Sequence, residues 1–303
     1  MIEVERTGPL TTVQDLGRPG HGGIGVSPSG AADRGSLQLA NRLVGNDPGA
    51  AALEVTFGGL RVRAHRDCTL AITGAPCPID VDGRAEPVNA VLRVRAGERV
   101  ELGTPPSGLR SYLAVRGGIA VEPVLGSRST DVLSGLGPEQ VGAGTRLPVG
   151  PPPRRFPQVD LAPVAAEPAG DLVLPVVLGP RADWFAEAAI SALLGEPFEV
   201  SADSNRVGMR LDGPELPRVR TEELPSEGMV LGSLQVPPSG RPTLFLADHP
   251  VTGGYPVIAV VCASDVDRAA QARPGRRIRF RAVGPRGAAG ARESAASSRE
   301  DRA

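Results

Sequence analysis

A mainly β protein carrying a few helices is the architecture this sequence specifies. Short apolar runs rich in β-branched residues recur along it, 39 glycines and 31 prolines punctuate them, and stretches with helical periodicity are scarce. Runs of roughly four to eight such residues bounded by turn signals read as strands. Many short strands favour a barrel or sandwich over a doubly wound sheet.

Taken in order, the strand candidates are LRVRA from Leu60, CTLAIT from Cys68, SYLAVRG from Ser111, LVLPVVLG from Leu172, TLFLAD from Thr243 and PVIAVVCA from Pro256. Residues 91–95 and 99–102 flank Ala96-Gly97-Glu98 and read as a hairpin with one wet face. Three helices interrupt the strands. The first starts on Asp33 as N-cap, carries Leu37, Ala40 and Val44 on one stripe, and ends with Gly45 at C′. A second is expected from near Asp183 through Phe185, Ala189 and Leu193 to Gly195. A third, short one follows Ser264-Asp265, carries Val266, Ala269 and Ala270, and stops before Pro274-Gly275.

The composition suggests a division into residues 1–150, a stiff Pro-rich linker or surface loop over 151–170, a second domain over 171–283, and a tail over 284–303 too poor in apolar residues to order itself. With 303 residues and 41% hydrophobic content, two domains with real cores are within reach. A net charge of -1 builds no basic face for nucleic acid. No lysine occurs anywhere, so neither a Schiff base nor a biotinyl-lysine nor a P-loop lysine can come from this chain. Cys68, Cys77 and Cys262 lack metal or disulfide spacing and suit a reducing compartment, and His21, His65 and His249 are too scattered for a metal site. No leader pattern and no spanning apolar stretch is seen, so no membrane partner and a cytoplasmic location are expected.

Two segments concentrate groups able to do chemistry. Residues 12–46 carry Gln14, Asp15, Arg18, Ser27, Ser29, Asp33, Asn41 and Arg42 in a glycine-rich setting that lets backbone N–H groups approach a ligand. Arg18 offers a planar fork for a carboxylate or phosphate, with Asp15 orienting it or accepting a proton. Equally, Asp15 and Arg18 can pair locally to hold a long loop. Residues 223–256 carry Ser226, Glu227, Gln235, Asp248, Thr252 and Tyr255. Glu227 is a candidate general base or a turn residue; Asp248 either faces a site mouth or forms an Asx-turn. Ser226 lacks a nucleophile elbow around it. Arg206 is an anion-clamp candidate or one half of a structural ion pair. Asp248 and His249, adjacent on a strand, point to opposite faces and make no relay.

As a set, QDLGRPGHGGIGVSPSGAAD, ANRLVGN, LEVTFGG, YLAVRGGI, SNRVGMRLDG, SEGMVLGSLQVPPSGRP and DHPVTGGYPVIAVV resemble the allophanate hydrolase subunit 2 family, over roughly residues 1–283. That family takes in the C subunits of 5-oxoprolinases, part of the urea carboxylase carboxyltransferase domain, and an antagonist of a sporulation-kinase inhibitor. The resemblance implies two cyclophilin-like β-barrel domains and a partner resembling the B subunit of 5-oxoprolinase, of the allophanate hydrolase subunit 1 family. With a further partner resembling the A subunit, the three would open 5-oxo-L-proline to L-glutamate at the expense of ATP. It leaves two other readings: a carboxyltransferase subunit fed by carboxybiotin, and a non-catalytic regulator. The site expected from the residues has Asp15, Arg18, Glu227 and Asp248 in catalytic roles. Gln14, Ser29, Asn41, Arg206, Ser226, Gln235, Thr252 and Tyr255 are expected against substrate, in a pocket drawn from both halves of the chain and holding no metal.

Overall fold

The computed structural model describes residues 1–157, 159–165 and 167–284, in two compact units that divide between Glu167 and Pro168. In chain order the first unit contains β1 (Ile2–Arg6), β2 (Leu10–Gln14), α1 (Arg34–Leu43), β3 (Ala52–Thr56), β4 (Arg61–Ala64), β5 (Cys68–Gly74), β6 (Ile79–Val81), β7 (Arg84–Glu86), β8 (Val91–Val94), β9 (Arg99–Leu102), β10 (Arg110–Val115) and β11 (Arg146–Leu147). The second contains β12 (Leu172–Leu178), α2 (Glu187–Gly195), β13 (Phe198–Val200), β14 (Gly208–Asp212), β15 (Glu227–Gly228), β16 (Ser233–Gln235), β17 (Thr243–Phe245), β18 (Thr252–Gly253), β19 (Val257–Val261), α3 (Val266–Ala270) and β20 (Arg277–Ala282). The mainly β architecture with few helices is as the sequence indicates. Among the described residues no helix is long and apolar enough to cross a membrane.

In the first unit two sheets, ordered β11-β1-β4-β9-β6-β7 and β2-β3-β10-β5-β8, share one core. Val4, Val62, Val100 and Leu102 from one sheet meet Leu53, Leu70, Ile72, Leu113 and Val115 from the other. The outer face of the second sheet is buried as well, under α1. There Ala52, Ala71 and Ala114 make room for Leu37, Ala40 and Val44. Strands β5 and β10 therefore alternate large with small rather than apolar with polar: Leu70-Ala71-Ile72 and Leu113-Ala114-Val115. Helix α1 begins as expected, with Asp33 Oδ1 accepting from Ser36 N–H at 2.9 Å, and Gly45 follows its C-cap at φ +72°.

The expected 91–102 hairpin does not form. β8 pairs with β5, whereas β9 pairs with β4 and β6 in the other sheet. The turn is tied to the end of β4 instead, through Gly97 N–H to Ala64 O at 2.7 Å and Ala64 N–H to Glu98 O at 3.0 Å. Leu92, Val94, Val100 and Leu102 still face one core, so alternation alone could not separate a hairpin from a sheet switch. The Pro-rich segment runs against this same unit. Val91 N–H donates to Asp160 O and Ala162 N–H to Asn89 O, both at 2.8 Å, and Arg116 stacks 4.5 Å from the Phe156 ring centre.

The second unit is a closed barrel, β12-β19-β16-β17-β14-β13-β20, sealed where β20 pairs with β12 in parallel from Leu172↔Ile278 to Val176↔Ala282. Closure leaves this ladder without edges. Leu174, Val176, Leu211, Leu234, Leu244 and Ile258 fill it, with Phe198 and Phe280 tilted at 5.8 Å between ring centres. Helix α2 starts later than expected. Residues Ala182–Trp184 make a 3-10 turn, and Phe185 is extended because it bridges to Arg218. The tail predicted to be disordered lies, beyond Gly284, outside the described residues.

Candidate functional site

The glycine-rich loop of the first unit leaves β2 at Gln14 and is closed at its base by Arg18 N–H donating to Pro28 O at 2.7 Å. Its ends thus meet while residues 19–25 project outward, as in a compact Ω-loop. The opposite wall is residues 124–131. Asp15 is nearly buried and its carboxylate is saturated. Ser127 Oγ and Ser129 Oγ each donate to Oδ1 at 2.6 Å, Gly17 N–H donates to Oδ1 at 2.7 Å, and Arg128 N–H donates to Oδ2 at 2.6 Å. A carboxylate so held is a fastener for two loops, not an available base. The expected local pairing of Asp15 with Arg18 is absent as well.

Arg18 is only 1% exposed, yet among the described residues it makes no ion pair. Its Nη2 donates to Ser129 O, Nε lies 3.4 Å from Val124 O, and Nη1 has no partner. Gln14, fully buried, donates through Nε2 to Thr130 O at 2.8 Å and Thr12 Oγ1 at 3.0 Å, and its Oε1 has no partner. Ser27, also buried, has an unpartnered Oγ. Ser29, 3.4 Å from Thr130 O, sits at φ +53°, and Leu125 beside Val124 at +51°. Left-handed backbone in residues other than glycine clusters where a chain is held for function.

Behind the loop stands a network that the sequence reading missed. Glu54, in the middle of apolar β3, receives Tyr112 Oη at 2.8 Å and Ala32 N–H at 2.9 Å, with Arg110 at 3.5 Å. Tyr112 Oη in turn accepts Asp33 N–H at 2.7 Å. Burial, and then Glu54 and Asp33, hold the Tyr112 hydroxyl well above its usual pKa. The pair fixes the backbone that joins the loop to α1. The signal was present as a Glu between Leu53 and Val55. Asn41 is corrected from substrate contact to brace: fully buried, it donates to Ala50 O at 2.7 Å and accepts Asn46 Nδ2 at 3.0 Å.

In the second unit, β15 and β18 pair Glu227 with Gly253 and Gly228 with Thr252, bringing the two ends of the polar segment together. Ser226, Thr252 and Tyr255 are exposed there, and Gln235 Nε2 donates to Tyr255 O at 3.2 Å. A Cβ on Gly253 would lie 2.5 Å from Gln235 Nε2, so a side chain there would push the Gln235 head aside. Glu227 does not suit the expected role of a base tuned toward neutrality. Arg181 Nε donates to its oxygens at 3.0 and 3.1 Å, and that bond holds the carboxyl below its usual range. Asp248 and Arg206 are corrected too. Both are fully buried and face each other, Nε to Oδ2 at 2.8 Å and Nη2 to Oδ1 at 3.0 Å, a bidentate structural pair away from solvent. Asp248 lies past the end of β17, and His249 turns elsewhere, with Nδ1 2.8 Å from Pro250 O.

Among the described residues no grouping of His, Cys, Asp and Glu could hold a metal ion. The three cysteines are unpaired, and burial pushes the Cys68 thiol up to about 11. Two large surface hollows are lined by charged side chains of the first unit. The larger, about 1010 Å³, lies between Asp67, Arg84, Glu86 and Arg93, with none of the expected site residues in it.

Comparison with known proteins identifies relatives of the chain. The chain is 40% identical over 287 residues to the C subunit of 5-oxoprolinase from Escherichia coli, covering 92% of this chain and 90% of that protein. It is 33% identical over 290 residues to the C subunit of 5-oxoprolinase from Haemophilus influenzae, covering 93% and 91%. The crystal structure of the K. lactis urea amidolyase matches with a TM-score of 0.92 at 30% identity, over 99% of this chain but only 20% of that one. Residues 24–282 match the family described as carboxyltransferase domain, subdomain A and B, and the chain belongs to that family.

Proposed function

We propose that this chain is the C subunit of an ATP-dependent 5-oxoprolinase, which opens 5-oxo-L-proline to L-glutamate together with B-like and A-like partner subunits. The observation that carries the reading is the 40% identity to the Escherichia coli C subunit over nine-tenths of both chains. A lactam resists attack by water, so ring opening needs an activated amide, and ATP supplies that activation. The chain has no lysine for a P-loop, and in this reading the nucleotide is handled through a partner. The first-unit loop, with Gln14, Arg18 and Ser29, holds substrate. The exposed Ser226, Thr252 and Tyr255, beside the buried Gln235, supply contacts of their own.

The test is reconstitution of the chain with B-like and A-like subunits. ATP hydrolysis that depends on 5-oxoproline, needs all three chains and ignores avidin is the expected result. A second reading, carboxyl transfer from a biotinyl carrier to an amide, draws on the family match and the urea amidolyase likeness. Avidin-sensitive, bicarbonate-dependent consumption of ATP in the presence of a linear amide would establish it instead.

A further inference from the structure

We infer that Arg18 Nη1, Gln14 Oε1 and Ser27 Oγ line a subsite of the first unit that takes a carboxylate flanked by an amide N–H. The inference rests on the 5-oxoprolinase reading and names the part of the substrate that this site holds.

Three buried polar atoms without partners occur on one short loop and the strand end that launches it. Most buried polar atoms in native proteins are bonded, so each such orphan asks for an explanation. Here their chemistry is complementary. Arg18 Nη1 is a charged donor, and the rest of its guanidinium meets only the neutral carbonyls of Val124 and Ser129. Gln14 Oε1 is an acceptor whose amide nitrogen is already committed to Thr130 O and Thr12 Oγ1, which fixes the orientation of the head. Ser27 can donate or accept. Both heads are anchored on Ser129-Thr130, which Asp15 in turn clamps through Ser129 Oγ at 2.6 Å.

A buried cation with carbonyl partners alone is costly, and an anion relieves it. Acetate would satisfy Arg18 and leave Gln14 Oε1 bare. A neutral lactam would do the reverse. An α-carboxylate beside a ring N–H offers both groups as substituents of the same carbon. The surroundings fit a held site: Ser29 and Leu125 take left-handed backbone, and a Cβ on Gly137 would fall 2.0 Å from Ser129 O and 3.1 Å from Arg18 Nη2. The projecting loop has open space beside Gly20, Gly23 and Gly25.

The experiment is calorimetric titration and thermal unfolding of the full chain with 5-oxoproline, pyrrolidin-2-one and acetate. 5-Oxoproline is expected to raise the midpoint by on the order of 5 °C at a hundredfold excess over Kd. The other two should bind at least tenfold more weakly, and Arg18→Met should abolish the response while leaving the ligand-free midpoint the same or higher. Acetate binding as well as 5-oxoproline, or no binding of any of the three, overturns the inference. Those comparisons use the unaltered chain and stand even where Arg18→Met does not fold. A reconstituted complex that turns over 5-oxoproline with unchanged KM when Arg18 is replaced by Lys overturns the subsite and leaves the proposed function standing. Arg18-dependent binding without turnover does the opposite.

Discussion

Replacing Asp248 with Asn separates a structural from a catalytic role for the buried pair in the second unit. Arg206 and Asp248 are both 0% exposed and share two hydrogen bonds, of 2.8 and 3.0 Å. Asn keeps the shape and one acceptor but removes the charge, so the buried guanidinium loses the carboxylate it pairs with. Breaking a buried pair from one side costs about 3–5 kcal/mol, a large share of the roughly 5–15 kcal/mol by which a domain is stable. Over a unit of this size that is a fall of roughly 15 °C in midpoint. The double variant Arg206→Met/Asp248→Leu removes both charges and should recover most of the loss, since apolar replacement of a whole buried pair is close to neutral. Urea denaturation and calorimetry of the four members of the cycle measure this directly. A midpoint for Asp248→Asn within about 2 °C of the parent, or lost turnover at an unchanged midpoint, would falsify the structural assignment.

Other outcomes follow from the same geometry. Because Arg181 holds Glu227 below the usual carboxylate range, its contribution to stability is present above pH ~4.5 and fades as pH falls through the lowered pKa; Glu227→Gln should leave the pH–rate profile of the complex between pH 6 and 8 unmoved, where a tuned base would shift it. Cys68, at about 11 rather than 9.0, carries roughly a hundredfold less thiolate at pH 8, so iodoacetamide should label it correspondingly slowly in the native chain and at the normal rate in urea. Tyr112→Phe strips Glu54 and Asp33 N–H of a partner and should cost about 1–3 kcal/mol. The raised Tyr112 pKa predicts that its support is complete below pH ~10 and lost as pH climbs toward the folded value, read as a delayed phenolate absorbance that appears with unfolding.

The strands were legible because their signal is local: length, β-branching and the turns around them. Which strands pair is not local. Residues 91–102 carried all the marks of a hairpin, and the chain still changed sheet at Gly97, since both arms needed only to face the same core. The helix cap at Asp33 was readable because a cap lies within four residues of what it caps. The surroundings of the candidate site were half readable. Gln14 and Arg18 stood out by type and setting, but Ser127 and Ser129, more than a hundred residues away, decide that Asp15 is a clamp. Likewise Arg206 and Asp248 looked reactive singly and turned out to neutralise one another across 42 residues. Residue type reveals what chemistry a side chain can do; only its neighbours reveal whether that chemistry is already spent.

The seam between β12 and β20 has a consequence for how the polypeptide is made. The strand that opens the second unit finds its in-register parallel neighbour more than a hundred residues downstream, at Arg277–Ala282. Every residue in between must leave the ribosome before the ring is complete, whereas the first unit draws its contacts from sequence already translated. During that interval β12, apolar throughout and buried on alternate positions once folded, has an open flank that is available to chaperones and to mispairing.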